Sequence, residues 1–242
     1  MSASFKVISP ARYHSSRLPG KPLVDLDGIP MVVRTYRQCL DCLPADQIVV
    51  ATDHELIANT CFNYHVPVVM TSSNCLTGTD RVAESMQYFD CDFFINVQGD
   101  EPLFNPHDLD LLIKSAISNP STIYNGYCSI DSTTSFHSVT TPKVVFDVKG
   151  RLLYMSRAPI PGNKDSSFKF AFRQVCAYSF PRTALLRFTS SPKTPLEETE
   201  DIEILRFLEL GLPVQMLKMS NRSIPVDVPE DITKLLSVLN SK

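Results

Sequence analysis

An open α/β fold, with helices on both faces of a mainly parallel sheet, is what this 242-residue sequence predicts. Three observations carry that prediction. Apolar runs of strand length alternate with segments of helical spacing through the first half. A loop rich in Arg, Lys, Pro and Gly follows the first apolar run, where such sheets bind ligands outside the carboxyl ends of their strands. A second polar cluster, Gln98-Gly99-Asp100-Glu101-Pro102, closes a later run at the same edge.

The elements read in order as follows. Residues 5–9 form a first strand, and 31–43 put Met31, Val32, Tyr36, Leu40 and Leu43 at helical spacing. Residues 47–51 are a buried strand. Asp53 is a candidate N-cap, with Glu55 in the first turn of a helix reaching Tyr64. A strand at 66–70 and a helix at 79–88 follow, then a strand at 92–97. Asn105-Pro106 opens a helix to about Ser118, with Pro in its first turn. The second half carries shorter strands at 123–130, 143–146, 152–155 and 174–180, with a Pro- and Gly-bearing loop at 159–167. Residues 195–210 read as the strongest helix, closed by Gly211. A strand at 213–219 and a helix opened by Val228-Pro229-Glu230-Asp231 end the chain. The pattern suggests one domain over 1–242, with a β-rich subregion at about 123–190 building a second wall.

Composition narrows the function. A net charge of −3 argues against a nucleic-acid binder, so a local cationic loop points to a small anionic ligand. No apolar run reaches the roughly 18 residues of a membrane span. The first residues lack the apolar core of a secretory signal, so a cytoplasmic location is expected. Seven scattered cysteines read as reduced thiols rather than a disulfide framework. Cys39-Leu40-Asp41-Cys42 matches C-x-x-C, with neither a second such pair nor a His at zinc-ligand spacing.

Within the loop at 9–22, Arg12, Arg17 and Lys21 are permanent cations held among Pro, Gly and Ser. Forked Arg donors and a Lys point charge suit a polyanionic tail such as a triphosphate. Asp100, facing that loop, is the type of carboxylate a phosphate-bound Mg²⁺ requires, since this ion takes only one or two protein carboxylates. Asp227 is the second candidate ligand. Thr77-Gly78-Thr79-Asp80-Arg81 enters a helix with backbone donors, room for a flat ring and a further cation.

The segments PARYHSSRLPGKPL, TGTDRVAES, NVQGDEP, LLYMSRAPIP, LRFLELG and VDVPEDI occur in the order and at about the spacing of the CMP-Kdo synthetases, the 3-deoxy-manno-octulosonate (Kdo) cytidylyltransferases. The chain resembles that family over about residues 5–235. The resemblance implies a Rossmann-like nucleotidyltransferase sheet with a β-rich insertion. It implies transfer of CMP from CTP to Kdo with release of pyrophosphate, Mg²⁺ as cofactor, a role in lipopolysaccharide synthesis, and a homodimer built through the β-rich middle. Carried over by residue, Arg12, Arg17 and Lys21 would grip the triphosphate. Ser73, Thr77, Gly78 and Arg81 would surround the cytosine and ribose. Asp100 and Asp227 would hold the metal, while Gln98, Arg157, Gln174, Tyr178 and Glu203 would face the sugar acid.

Two positions depart from the family pattern. Gln174 stands where a His is usual, and Ile204 stands where a Gln is usual; both changes are expected to alter the sugar side and leave the nucleotide side intact. A related or amino-substituted ulosonic acid therefore remains an alternative substrate. So does a non-catalytic nucleotide-binding role. A glycosyltransferase would show D-x-D where this chain has Gln98-Gly99-Asp100. The expected chemistry is in-line attack by the sugar hydroxyl, with no covalent intermediate and no protein general base evident; His14 is the His of the first loop.

Overall fold

The computed structural model describes residues 3–15, 18–165, 167–223, 226 and 229–239. Nine strands form one sheet: β1 (Phe5–Ala11), β2 (Ile48–Thr52), β3 (Val68–Met70), β4 (Phe93–Val97), β5 (Ile123–Ser129), β6 (Lys143–Phe146), β7 (Leu152–Ser156), β8 (Phe172–Pro181) and β9 (Val214–Lys218). The order is β3-β2-β1-β4-β8-β5-β9, and β6 joins β7 and β8 off that path. β1 pairs in parallel with β2 and β4, β2 with β3, and β5 with β9. β8 is antiparallel to both β4 and β5. It is the one reversed strand on the main path, so the other six share a carboxyl edge.

Alternation of side chains along the strands splits the core into two layers. Val7, Phe93 and Ile95 face one layer with Val32, Leu109 and Leu112. Ile8 and Phe94 face the other with Val82, Leu185 and Phe207. Every residue of β4 is buried, Asn96 included, so it does not show the apolar–polar alternation of a half-exposed strand. Helices α1 (Met31–Leu40), α2 (Glu55–Asn63), α3 (Gly78–Ser85) and α4 (Pro106–Ser118) link the first strands, and α4 is capped by Asn105 as expected.

The structure corrects several expectations. The cap of α2 is His54, whose Nδ1 accepts the Leu56 N–H at 3.2 Å; Asp53 is engaged elsewhere. Two helices were not legible: the short α5 (Thr133–His137) and α6 (Arg182–Thr189), which leaves β8 without a loop. The helix expected over 195–210 is two, α7 (Pro195–Glu200) and α8 (Ile204–Glu209). Asp201 breaks it with φ of 51°, in the left-handed region that Asp tolerates better than most residues. α9 (Pro229–Leu239) closes the described chain. β5 and β8 lie inside the common sheet, and β6 and β7 join it through β8.

Candidate active site

The site is a cleft of about 480 Å³ at the carboxyl edge, where the loops after β1 and β4 meet. Gly99 sets that meeting. Its N–H donates to the Pro10 carbonyl at 3.2 Å, and a Cβ on Gly99 would lie 2.9 Å from that same oxygen. Thr35 on α1 holds the other side by donating to the Gly99 carbonyl at 3.1 Å. Asp100 is thereby carried to the cleft, where it ion-pairs with Lys21. Lys21 follows a loop closed by the Gly20 N–H on the Tyr13 carbonyl at 3.1 Å. Arg12 is exposed at the rim of the same cleft.

The second wall is the start of α3, where Thr77 and Asp80 form a reciprocal cap. Gly78 makes room for the Gln98 side chain: an added Cβ would lie 2.7 Å from its amide nitrogen. The Thr79 N–H donates to Glu203 at 3.0 Å, so this helix terminus already holds a carboxylate of the protein. Burial raises the Glu203 carboxyl above the usual carboxylate range, against the lowering effect of its bonds to Thr79 and Thr77. Arg81 also reaches the cleft, but its charge is matched. It is 2% exposed, pairs with Asp53 at 3.0 Å and donates to Thr71. Asp53 accepts the Tyr13 N–H at 3.2 Å as well, so this pair ties α3 to the first loop.

The third wall comes from β8 and the α7–α8 break. Gln174, Cys176 and Tyr178, two residues apart, line the cleft from one face of β8. Burial, reinforced by the charge of Glu101 and Asp100, pushes the Cys176 thiol up, so it stays protonated and is no nucleophile. Tyr178 is likewise raised well above its ordinary value by burial. Arg157 is fixed by three carbonyls, those of Glu200, Val139 (2.9 Å) and Asp201 (3.0 Å). The Glu200 carboxylate braces it from behind, accepting Ser156 Oγ at 2.6 Å and the Arg157 N–H at 2.8 Å.

Of the expected site residues, Arg12, Lys21, Thr77, Gly78, Arg81, Gln98, Asp100, Arg157, Gln174, Tyr178 and Glu203 line this one cleft. Ser73 does not; it is exposed on the turn before α3. Arg17 and Asp227 lie outside the described residues. Ile204 is fully buried in the core beneath α8 and does not face the cleft, which corrects the expectation that it alters the sugar side. Sequence reasoning missed Glu101, Cys176 and Arg173 as lining residues. The period-2 rule applied to Tyr178 would have found Cys176, and Glu101 stood beside Asp100 in the quoted motif.

No group of three or more His, Cys, Asp or Glu among the described residues is placed to hold a metal. Asp100 keeps about a quarter of its side chain accessible (27%). A partly accessible carboxylate at this place fits a hydrated Mg²⁺ arriving on a phosphate chain, which supplies its other ligands.

Comparison with known proteins agrees with this geometry. Residues 6–219 match the model of a family described as cytidylyltransferase. The chain is 37% identical over 241 residues to a 3-deoxy-manno-octulosonate cytidylyltransferase of Chlorobium luteolum, covering 96% of each chain. It is 38% identical to the protein of that name in Chloroherpeton thalassium, covering 98% of each. Among solved structures, a CMP:2-keto-3-deoxy-manno-octonic acid synthetase complexed with CTP superposes with a TM-score of 0.91 at 30% identity, covering 99% of each chain.

Proposed function

This chain belongs to the cytidylyltransferase family, with the 3-deoxy-manno-octulosonate cytidylyltransferases as its relatives, and on that premise we propose that it activates Kdo with CTP, giving CMP-Kdo and pyrophosphate. The observation that carries this reading is one cleft that gathers Arg12, Lys21 and Asp100 with Arg157, Gln174, Tyr178 and Glu203.

In this reading the anomeric hydroxyl of the sugar attacks the α-phosphorus of CTP in line. The hydroxyl gives up its proton to solvent water, a new P–O bond forms, and the bond to pyrophosphate breaks. Arg12 and Lys21 neutralise charge on the departing pyrophosphate, Arg17 completing that set. Thr77 and Gly78 pack against the nucleoside. Arg157, pre-oriented by three carbonyls, takes the sugar's carboxylate without paying to order its side chain. Catalysis is positioning plus charge neutralisation, with no covalent enzyme intermediate. Asp100 and Asp227 would hold Mg²⁺, which supplies charge compensation at the phosphates and acidifies a bound hydroxyl. Val226, next to Asp227, donates its N–H to the Asp100 carbonyl at 3.1 Å, which supports that pairing.

A lipopolysaccharide role follows from the sugar, and the seven free cysteines suit a reducing cytoplasm. Leu153 and Phe170, 57% and 62% exposed in the β-rich stretch, support a homodimer. Among the described residues no helix is long and apolar enough to cross a membrane. The test is pyrophosphate release with CTP, Mg²⁺ and a panel of ulosonic acids. Turnover with Kdo is expected; CTP binding without turnover on any member would overturn the enzyme assignment.

A further inference from the structure

Gln174 sits in a hydrogen-bond network whose proton order can be worked out. The β5–β8 pairing shifts register between Asn125 and Gly126. There the fully buried Asn125 donates Nδ2 protons to the carbonyls of Val175 and Ala177, both at 3.0 Å. Carbonyl oxygens only accept, so the Asn125 amide cannot be turned round, and its Oδ1 must point away as an acceptor. The group 3.2 Å from that oxygen is Gln174 Nε2, which must therefore be the donor. The second Nε2 proton goes to the Tyr178 hydroxyl at 3.2 Å. Both protons of the Gln174 amide are spent inside the protein. What remains is Oε1, on a side chain that lines the cleft and with no donor to it among the described residues.

We infer that Gln174 shows the substrate a hydrogen-bond acceptor only, that Asn125 is the positioning residue that holds it so, and that the sugar end selects a sugar acid bringing a donor, a hydroxyl or protonated amine, to that point. This rests on the cytidylyltransferase reading. A His at 174 presents either a donor or an acceptor and changes charge near pH 6.5. The fixed amide does neither, so the selection it makes is independent of pH across that range.

The experiment uses Kdo analogues in which each hydroxyl in turn is replaced by hydrogen, fluorine or an amino group, assayed by pyrophosphate release. At one position, fluorine and hydrogen should each lower kcat/KM by about 5- to 150-fold, the cost of one unpaired buried polar group, while the amino group is accepted. In Gln174→Leu that position should lose its preference, with the KM for CTP unchanged. A position that prefers fluorine over hydroxyl, or a preference that survives Gln174→Leu, would overturn the inference while leaving Kdo activation standing. No turnover of any sugar would instead sink the functional reading. Independently of turnover, both Gln174 side-chain amide protons should exchange slowly in the unliganded protein by NMR, and should lose that protection in Asn125→Leu. Fast exchange in the wild type refutes the network even if Asn125→Leu fails to fold. Asn125→Leu that folds should weaken discrimination among the analogues without moving the KM for CTP; equal effects on every sugar would mark Asn125 as merely structural.

Discussion

Asp100→Asn should change CTP affinity in opposite directions with and without magnesium. In the unliganded cleft Asp100 is ion-paired with Lys21, whose side chain is 14% exposed against 27% for the carboxylate. Without metal, Asp100 repels the triphosphate and competes with it for the lysine. Unit charges about 4 Å apart interact by about 1 kcal/mol in water and about 4 kcal/mol in a protein-like medium. A site this open lies toward the lower figure, so removing the charge should tighten metal-free CTP binding by roughly 5- to 30-fold, or about 1–2 kcal/mol. With magnesium the sign should reverse, because in the proposed reading the lost carboxylate is a ligand of the ion. The kcat should then fall on the order of 10²-fold or more, about 3 kcal/mol of barrier. Losing the partly buried pair should lower Tm by only about 2–4 °C for about 1 kcal/mol. Calorimetric CTP titrations in EDTA and in magnesium, steady-state kinetics and thermal melts measure these effects. Weaker CTP binding under both conditions would refute the reasoning and leave Asp100 as a partner of Lys21 alone.

Asp227→Asn should also cost on the order of 10²-fold in kcat with normal folding; near-wild-type activity would remove Asp227 from the proposed metal site. CTP should support turnover where ATP and GTP do not, and comparable purine rates would remove the nucleotide assignment from the Thr77–Arg81 wall. Glu203→Gln should flatten the pH dependence of stability. The folded carboxyl is raised above its ordinary value of 4.5, so its stabilisation is complete below that value and lost as pH rises through the folded value. Thermal melts from pH 4 to 8 should show the variant gaining on the wild type toward neutrality, and a constant difference would contradict it.

The parts of this molecule that local chemistry specifies were legible from its sequence. β1 and β4 are mainly apolar, interrupted by Lys6, Ser9 and Asn96, and the polar clusters that end them fell at the carboxyl edge because every strand so placed delivers its next residues there. What was not legible depends on partners far along the chain. Arg81 looks like a ligand-binding cation until Asp53 is seen 3.0 Å away, 28 residues earlier in sequence. Thr79 looks like a free helix terminus until Glu203 arrives from 124 residues later. Ile204 sits next to a cleft residue in sequence and is turned into the core by α8.

The break between α7 and α8 shows why such partners matter to function. A continuous helix would put residues 200 and 203 about one turn apart on the same face. With Asp201 left-handed, Glu200 instead turns to brace Arg157, and Glu203 reaches the start of α3. α8 is held in that position by Arg206, which pairs with Glu197 of α7 at 2.6 Å through two nitrogens. Three residues of chain thus connect the residue proposed for the sugar's carboxylate to the helix proposed for the nucleoside. Glu203 also lies 3.5 Å from the amide of Gln98, on the loop that carries Asp100. The walls proposed for the two substrates share this support, so a substitution that relaxes the break should raise KM for both substrates together, whereas one confined to Gln174 should not.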